Sequence, residues 1–301
     1  MVFLVAAATT WTVCSTWVAV RYQSGGRVQG LGAVASASRD FVAGFLVGLP
    51  SSQNRSIPHL LFQTWKDRQC VPQKVLVQAQ TLASSYRHII LDDLDSISFL
   101  RAHYAPAVLE RYLAFKSGAH KADMLRYCLL YKYGGVYLDI ETVLVQPLEN
   151  VFTDREKAYS VLSYYNGTIM QGVLAAPPHL DLFLYLILAM VNTPQLEVRG
   201  QYRVFTTHFH QALADLAVSE SLVVGVNRMR EGPPWVLLQE HCTRRFLKQN
   251  APNCGGEWDK GGSCCWILSQ DARAIQFKTR FPDFPSGVSW NEPVKFLHGR
   301  R

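Results

Sequence analysis

Residues 121–142 limit the architectures open to this chain more than any other stretch. They begin Lys121-Ala122-Asp123-Met124-Leu125-Arg126-Tyr127, continue through six mostly apolar residues, and end Gly134-Gly135-Val136-Tyr137-Leu138-Asp139-Ile140-Glu141-Thr142. The pattern predicts a helix, a glycine turn and a strand. Alternation across 136–141 predicts Tyr137, Asp139 and Glu141 on one strand face, with Val136, Leu138 and Ile140 on the other. Two acids on one face at a strand end form a compact oxygen-ligand site for a hard divalent cation. Asp123 and Arg126 are three residues apart and so share one side of the helix. A cation and a guanidinium together suit the gripping of a diphosphate. The glycine pair reads both as a helix cap and as a permissive approach for such a ligand.

The neighbouring segments place this block in an alternating α/β order. Residues 57–65 read as a buried strand, 71–84 as a helix and 88–91 as a second strand ending in Asp92-Asp93. Residues 97–104 and 107–112 read as helices ahead of the 121–133 helix and the strand after it. This order predicts an α/β domain with a mostly parallel central sheet. Ligands of such sheets collect at the carboxyl ends of the strands, where Trp65, Asp92 and Asp139 fall. Residues 159–162 and 172–175 read as later strands, and the apolar 180–191 as a core helix too short to span a bilayer.

The bulk numbers narrow the setting. A chain of 301 residues that is 49% hydrophobic can bury a full core. Its net charge of +7 suits a phosphate-bearing ligand, but no arginine-rich run or nucleic-acid motif is present, so no nucleic-acid partner is expected. Residues 1–20 carry no charged side chain, long enough to reach across a bilayer, and read as a signal anchor or a signal peptide. The lack of a small-residue cleavage site after Val20 favours the anchor, hence a membrane attachment. Arg21 and Arg27 follow the segment and argue for the opposite orientation, although large domains often translocate regardless. Residues 21–56, rich in Gly, Ser, Ala and Gln, read as a stem, and 57–301 as the folded catalytic domain.

Sequons at Asn54-Arg55-Ser56 and Asn166-Gly167-Thr168 lean toward the secretory pathway. Cysteine usage leans the same way: Cys242, Cys254, Cys264 and Cys265 crowd into a polar, glycine-rich stretch where a disulfide-stapled loop is expected. Zinc is the sharper alternative there, but no Cys-x-x-Cys pair exists. Cys128 reads as a buried thiol, and Tyr127, Tyr131 and Tyr133 as packing residues. Asp92-Asp93 reads as a strand-end turn. His208 and His210 share a face only in an extended chain and read as ordinary histidines.

Taken together, Ile57-Pro58-x-x-Leu61-x-Gln63-Thr64-Trp65-Lys66, Ala122-Asp123-x-x-Arg126-Tyr127 and Gly134-Gly135-x-Tyr137-x-Asp139-x-Glu141-Thr142 resemble glycosyltransferase family 32, the DXD sugar-binding type. The Och1-like α-1,6-mannosyltransferases of the Golgi are the nearest in flavour. The resemblance spans residues 57–148. It implies a GT-A, Rossmann-like fold, a nucleotide-sugar donor held with Mn2+ or Mg2+, a glycan or glycolipid acceptor, and transfer with retention at the anomeric carbon. It further implies Trp65 stacked on the nucleobase, and Asp123 and Arg126 on the donor sugar and phosphates. Tyr137 would line the donor pocket, Asp139 would contact ribose and metal, and Glu141 would ligate the metal. It also implies a Golgi membrane protein with a lumenal catalytic domain.

Two positions depart from the family pattern. Glu141 stands where Asp is usual, moving the carboxylate by about 1.5 Å. Thr206-Thr207-His208 stands where a Thr-Gly-Pro often occurs, and Ser289-Trp290 matches a Ser-Trp of the closing loop. These departures keep open an alternative: a GT-A module that holds a nucleotide, glycan or partner without catalysis.

Overall fold

The computed structural model describes residues 55–198, 201, 203–241, 265–269 and 275–278. The 1–20 segment, almost all of the stem, the Asn54 sequon, Cys242, Cys254, Cys264 and Ser289-Trp290 lie outside the described residues. Among the described residues no helix is long and apolar enough to cross a membrane.

Three parallel strands open the sheet. β1 (Leu60–Thr64) lies between β2 (Arg87–Leu91) and β3 (Gly135–Leu138), with Phe62 opposite Ile89 on one side and Tyr137 on the other. Parallel neighbours need long crossovers. Helix α1 (Gln73–Leu82) makes the first, and α2 (Asp93–His103), α3 (Pro106–Ala114) and α4 (Gly118–Tyr133) make the second. Trp65, Asp92 and Asp139 each follow the carboxyl end of one of these strands, so they gather on one edge as expected.

The remaining elements are β4 (Val143–Leu144), α5 (Leu148–Val151), β5 (Ala158–Leu162), β6 (Ile169–Ala176), α6 (Asp181–Asn192) and α7 (Gln195–Val198). After them come α8 (Val204–Leu216), β7 (Gly225–Asn227), β8 (Trp235–His241), β9 (Trp266–Leu268) and β10 (Ile275–Lys278). All strands join one sheet in the order β2-β1-β3-β6-β5-β8-β9-β10-β4, with β7 on β8. Here the expected mostly parallel sheet is corrected. Only β5 and β8 add a parallel pair. β6 is antiparallel to both β3 and β5, and β7, β9, β10 and β4 join antiparallel. The reason is local: residues 163–168 link β5 to β6, and so short a link closes only a hairpin. The α/β class stands, with a mixed sheet.

Alternate residues feed two cores. Tyr137 and Leu174 face α4, α6 and α8 in a core built around Tyr127, Phe183, Phe209 and Trp235. Val136, Leu138 and Val173 face the other side, against Ala79 of α1, Leu148 and Phe152. Helix α4 is buried almost continuously from Asp123 to Lys132, and this explains why its sequence is apolar on more than one side. Cys128 is fully buried, as read from sequence.

The glycine pair ends α4 and starts β3. Gly134 has φ +63 and ψ −162, a backbone open to glycine, and donates its N–H to the Leu130 carbonyl at 2.8 Å to end the helix. Space beside both glycines is taken by the protein's own backbone. A Cβ on Gly134 would lie 2.6 Å from Pro178 N, and one on Gly135 (φ +103) 2.8 Å from the Leu60 carbonyl oxygen. The cap is therefore as read from sequence, but the close approach is made by β1 and Pro178, not by a ligand. Gly135→Ala combines a left-handed backbone with this overlap, so we expect a loss of at least about 2 kcal/mol. Urea unfolding would show it as a lower midpoint at unchanged slope.

Candidate active site

Arg126 is the centre of the site. Its side chain is 4% exposed, deep in α4. Nε donates to the Ala122 carbonyl at 3.2 Å, Nη1 lies 3.3 Å from Asp123 Oδ1, and Nη2 donates to Asp139 Oδ1 at 3.1 Å. The guanidinium also lies over the Tyr137 ring, 4.7 Å from its centroid. Burial disfavours the Arg126 charge, but Asp139, Tyr137 and Asp123 outweigh it and hold its pKa above the ordinary arginine value. Burial pushes the Asp123 carboxyl up to about 7; Arg126 opposes this and Asp139 adds to it. Asp139 is the more exposed of the two acids, with 34% of its side chain accessible against 10% for Asp123. It is the acid that can meet a ligand.

The backbone around Asp139 corrects one expectation. β3 stops at Leu138, and 139–142 is a turn closed by the Thr142 N–H donating to the Asp139 carbonyl at 2.8 Å. Tyr137 and Asp139 do share a face, since Tyr137 Oη donates to Asp139 Oδ1 at 3.1 Å. Glu141, half-buried, belongs to the turn rather than to that strand face. The physical reason is Ile140: it is 3% exposed and packs with Val75 in a small cluster that Trp65, Val71 and Val143 complete. Turning the chain there buries it.

Residues with no role assigned from sequence hold the turn. Gln63 of β1, 2% exposed, donates from Nε2 to the Asp139 carbonyl at 3.4 Å. Its Oε1 accepts from His88 Nε2 at 2.8 Å, which assigns the proton to that ring nitrogen. Burial lowers the His88 pKa, in keeping with a neutral ring. Thr64 Oγ1 lies 3.1 Å from Tyr137 Oη; because Tyr137 donates to Asp139, Thr64 is the donor here. On the opposite side Gly172 of β6 accepts from the Asp139 N–H at 2.8 Å. A Cβ there would lie 2.6 Å from Asp139 Oδ2. A glycine inside a strand marks a close approach, and that signal alone could have singled out Gly172.

These contacts bear on a cation. The Asp139 carboxylate takes its bonds from Arg126 and Tyr137 at Oδ1, while Oδ2 lies in the space that a side chain on Gly172 would fill. Among the described residues, no group of three or more His, Cys, Asp or Glu could hold a metal ion. Mg2+-type sites commonly use one or two carboxylates and complete their shell from substrate phosphates and water. Asp139 and Glu141 fit that donor set, with the phosphates left to the ligand.

Trp65 follows β1, donates its N–H to the Leu91 carbonyl at 3.0 Å and is half-buried beside Ile140. It thus lies on the same edge as the acids. Asp92 is a helix cap: its Oδ1 accepts from the Leu94 and Asp95 N–H groups, and Asp95 returns a bond to its N–H. Tyr127 and Tyr131 are packed in the core, as expected, while Tyr133 is partly exposed. Thr206, Thr207 and His208 lie within α8, where His208 and His210, two residues apart, do not share a face.

Residues 62–158 match the family model described as "Glycosyltransferase sugar-binding region containing DXD motif". The chain is similar to the inositol phosphoceramide mannosyltransferase 3 of Schizosaccharomyces pombe, with 33% identity over 94 residues, 30% of this chain and 26% of that protein. It is also similar to the initiation-specific alpha-1,6-mannosyltransferase of Saccharomyces cerevisiae, 32% identical over 110 residues, 34% of this chain and 23% of the relative. The Candida albicans protein of that description is 30% identical over 141 residues, 44% of this chain and 36% of its own length. The chain thus spans about a quarter to a third of the length of these curated relatives. A solved structure, the PaToxG glycosyltransferase, overlays at a TM-score of 0.40 and 14% identity, over 60% of this chain and 76% of that one, too loosely to bear on the site.

Gly172→Ala should push the Asp139 carboxylate off its place and break its bond to Arg126. We expect the melting temperature to fall by only a few degrees (about 2–4 °C per kcal/mol), while whatever transfer the site supports falls at least tenfold. Arg126→Lys should be worse in both respects, because one ammonium cannot replace a fork that meets a carbonyl and two carboxylates. Asp139→Ala should lose stability, since the Arg126 charge, 4% exposed, then keeps only Asp123 as its counter-charge. Breaking such a buried pair costs about 3–5 kcal/mol, readable in thermal unfolding beside Asp139→Asn.

Proposed function

We propose that this chain, which carries a DXD-type glycosyltransferase sugar-binding region over residues 62–158, is a metal-dependent retaining glycosyltransferase of GT-A fold. It would move a sugar from a nucleotide-sugar donor to a glycan or glycolipid acceptor. The observation that carries this reading is the placement of Asp139. One carboxylate oxygen is spent on Arg126 and Tyr137, the other lies against Gly172, and the side chain stays 34% exposed at the strand-end edge. Mannose is the leading donor sugar, because the relatives compared above are described as mannosyltransferases. Their descriptions name a lipid, inositol phosphoceramide, in one case and not in the other, so the acceptor class stays broad.

The residues divide the work. Asp139 Oδ2 and Glu141 would hold Mn2+ or Mg2+, which when bound balances charge on the departing diphosphate. Arg126 positions Asp139; Asp123 in turn positions Arg126. Tyr137 was expected to line the donor pocket, but it is fully buried and instead orients Asp139 from beneath. Trp65, beside the turn, offers a ring for the nucleobase. The acceptor hydroxyl attacks from the face the diphosphate leaves, which gives retention. A lumenal Golgi placement, anchored by residues 1–20, is supported by the sequons and by Cys265, which is disulfide-bonded.

A second reading, a binding module without catalysis, rests on Glu141. The two are separated by free-nucleotide release from a panel of nucleotide sugars, with and without Mn2+. Glu141→Gln keeps the size but not the anionic ligand, so metal-dependent release should drop at least tenfold, or about 1.4 kcal/mol. Glu141→Asp should retain the metal requirement at near-parent activity. If Gln matches the parent and EDTA changes neither, the cation site is absent and the binding module is the correct reading.

A further inference from the structure

The hairpin between β5 and β6 carries Tyr164-Tyr165-Asn166-Gly167-Thr168 across its tip. Ser163 N–H donates to the Thr168 carbonyl at 3.1 Å, and Thr168 Oγ1 to the Tyr165 carbonyl at 2.6 Å. Gly167 has φ +70, and nothing lies within 4 Å of where its Cβ would be. The bend is thus closed by its own bonds yet open to solvent, and Asn166 at its crest is exposed. Glu240 of β8 fixes the loop from behind, accepting from Ser163 Oγ at 2.8 Å and from the Tyr164 N–H at 2.9 Å.

Both tyrosines are exposed, Tyr164 at 50% and Tyr165 at 46%, and a cation sits over the Tyr165 face. The Arg203 guanidinium lies 3.3 Å from the centroid of the Tyr165 ring. Tyr164 meets Tyr165 at an edge, with centroids 5.6 Å apart, and remains 50% exposed. An aromatic face held in place at a hairpin tip, two residues before an exposed sequon asparagine, needs an apolar cover. The C–H face of a pyranose supplies one. Two residues of chain span at most about 6.6 Å when extended and less in this bend, a distance one sugar ring can bridge.

We propose that Asn166 carries an N-linked glycan whose first sugar packs on the Tyr164 ring. In its formation the Asn166 side-chain nitrogen attacks C1 of a lipid-diphosphate oligosaccharide. The N–C1 bond forms, the C1–O bond to the diphosphate breaks, the lipid diphosphate leaves and the amide gives up one proton. Transfer takes place on the extended chain, before Thr168 is buried by the closed hairpin. The compartment that performs it is oxidising, in line with the disulfide at Cys265.

The position of this glycan matters to the site. β5 runs in the same direction as β3, with β6 between them, so the hairpin rises from the edge that carries Asp139. Gly172 touches Asp139, and Thr168, four residues earlier on the same strand, is about 13 Å farther out. The glycan would therefore stand beside the approach to the donor site without entering it, a consequence that rests on the function proposed above; occupancy of Asn166 does not.

The test uses the full chain and the variants Asn166→Gln, Tyr164→Ala and their combination, expressed in eukaryotic secretory cells. Peptide mass before and after enzymatic N-glycan release should show sugar on Asn166 of the parent. Tyr164→Ala should lower the melting temperature of the glycosylated chain by about 2 °C or more and leave the Asn166→Gln background unmoved. Asn166 recovered without sugar overturns the modification; an equal shift in both backgrounds overturns the stacking. Neither readout involves donor turnover, so the outcome is independent of whether the chain proves to be a glycosyltransferase.

Discussion

Burying one guanidinium sets the terms for the rest of the molecule. A charge like that of Arg126, removed from water, is tolerated only when its fork is filled and its charge is met. The chain meets it from two elements, with Asp123 one turn back on the same helix and Asp139 just past the next strand. That arrangement requires α4 to pass directly under the end of β3. The glycine pair is what allows it, by reversing the chain within two residues against the backbone of β1 and Pro178. The same ion pair that satisfies the core therefore points a carboxylate at the open edge.

The site is braced by strands that carry none of its chemistry. β1 contributes Gln63 and Thr64, β2 contributes His88, and β6 contributes a glycine. Gln63, itself held by His88, meets the Asp139 carbonyl, Thr64 the Tyr137 phenol, and Gly172 both the amide and the carboxylate of Asp139. Such bracing suits a group whose direction must hold while a diphosphate binds and leaves. It also explains why the mixed order of the sheet matters to function. An antiparallel β6 beside β3 brings Gly172 into register with Asp139, which a further parallel strand entered by a crossover need not have done.

Much of this was legible in the sequence, and the misses have physical reasons. The α4–β3 block announces itself because helix, cap and strand signals are contiguous. Trp65, Asp92 and Asp139 were placed on one edge because parallel order follows from alternating elements. The first residues of α2 were missed because its opening turn is polar, stabilised by the Asp92–Asp95 box rather than by burial. The strand direction after β3 was misread because it is decided by one short loop far from the motifs. The turn at 139–142 was hidden because Ile140 continues the apolar alternation while turning into a different cluster. Gln63 and His88 were silent because what they hold lies far along the chain.

That turn divides the acidic motif into two halves of unequal tolerance. Asp139 is tied down although a third exposed, with an arginine and a phenol on one oxygen and the backbone of Gly172 beside the other. A longer side chain at that position would give up those bonds or crowd Gly172. Glu141 lies beyond the strand, where no ladder partner dictates its distance from Asp139. Backbone torsions in the turn can take up an added methylene that a pleated strand would pass on in full. The unusual acid thus sits at the one end of the motif where length is a soft variable, and the invariable end is the one the core itself has to satisfy.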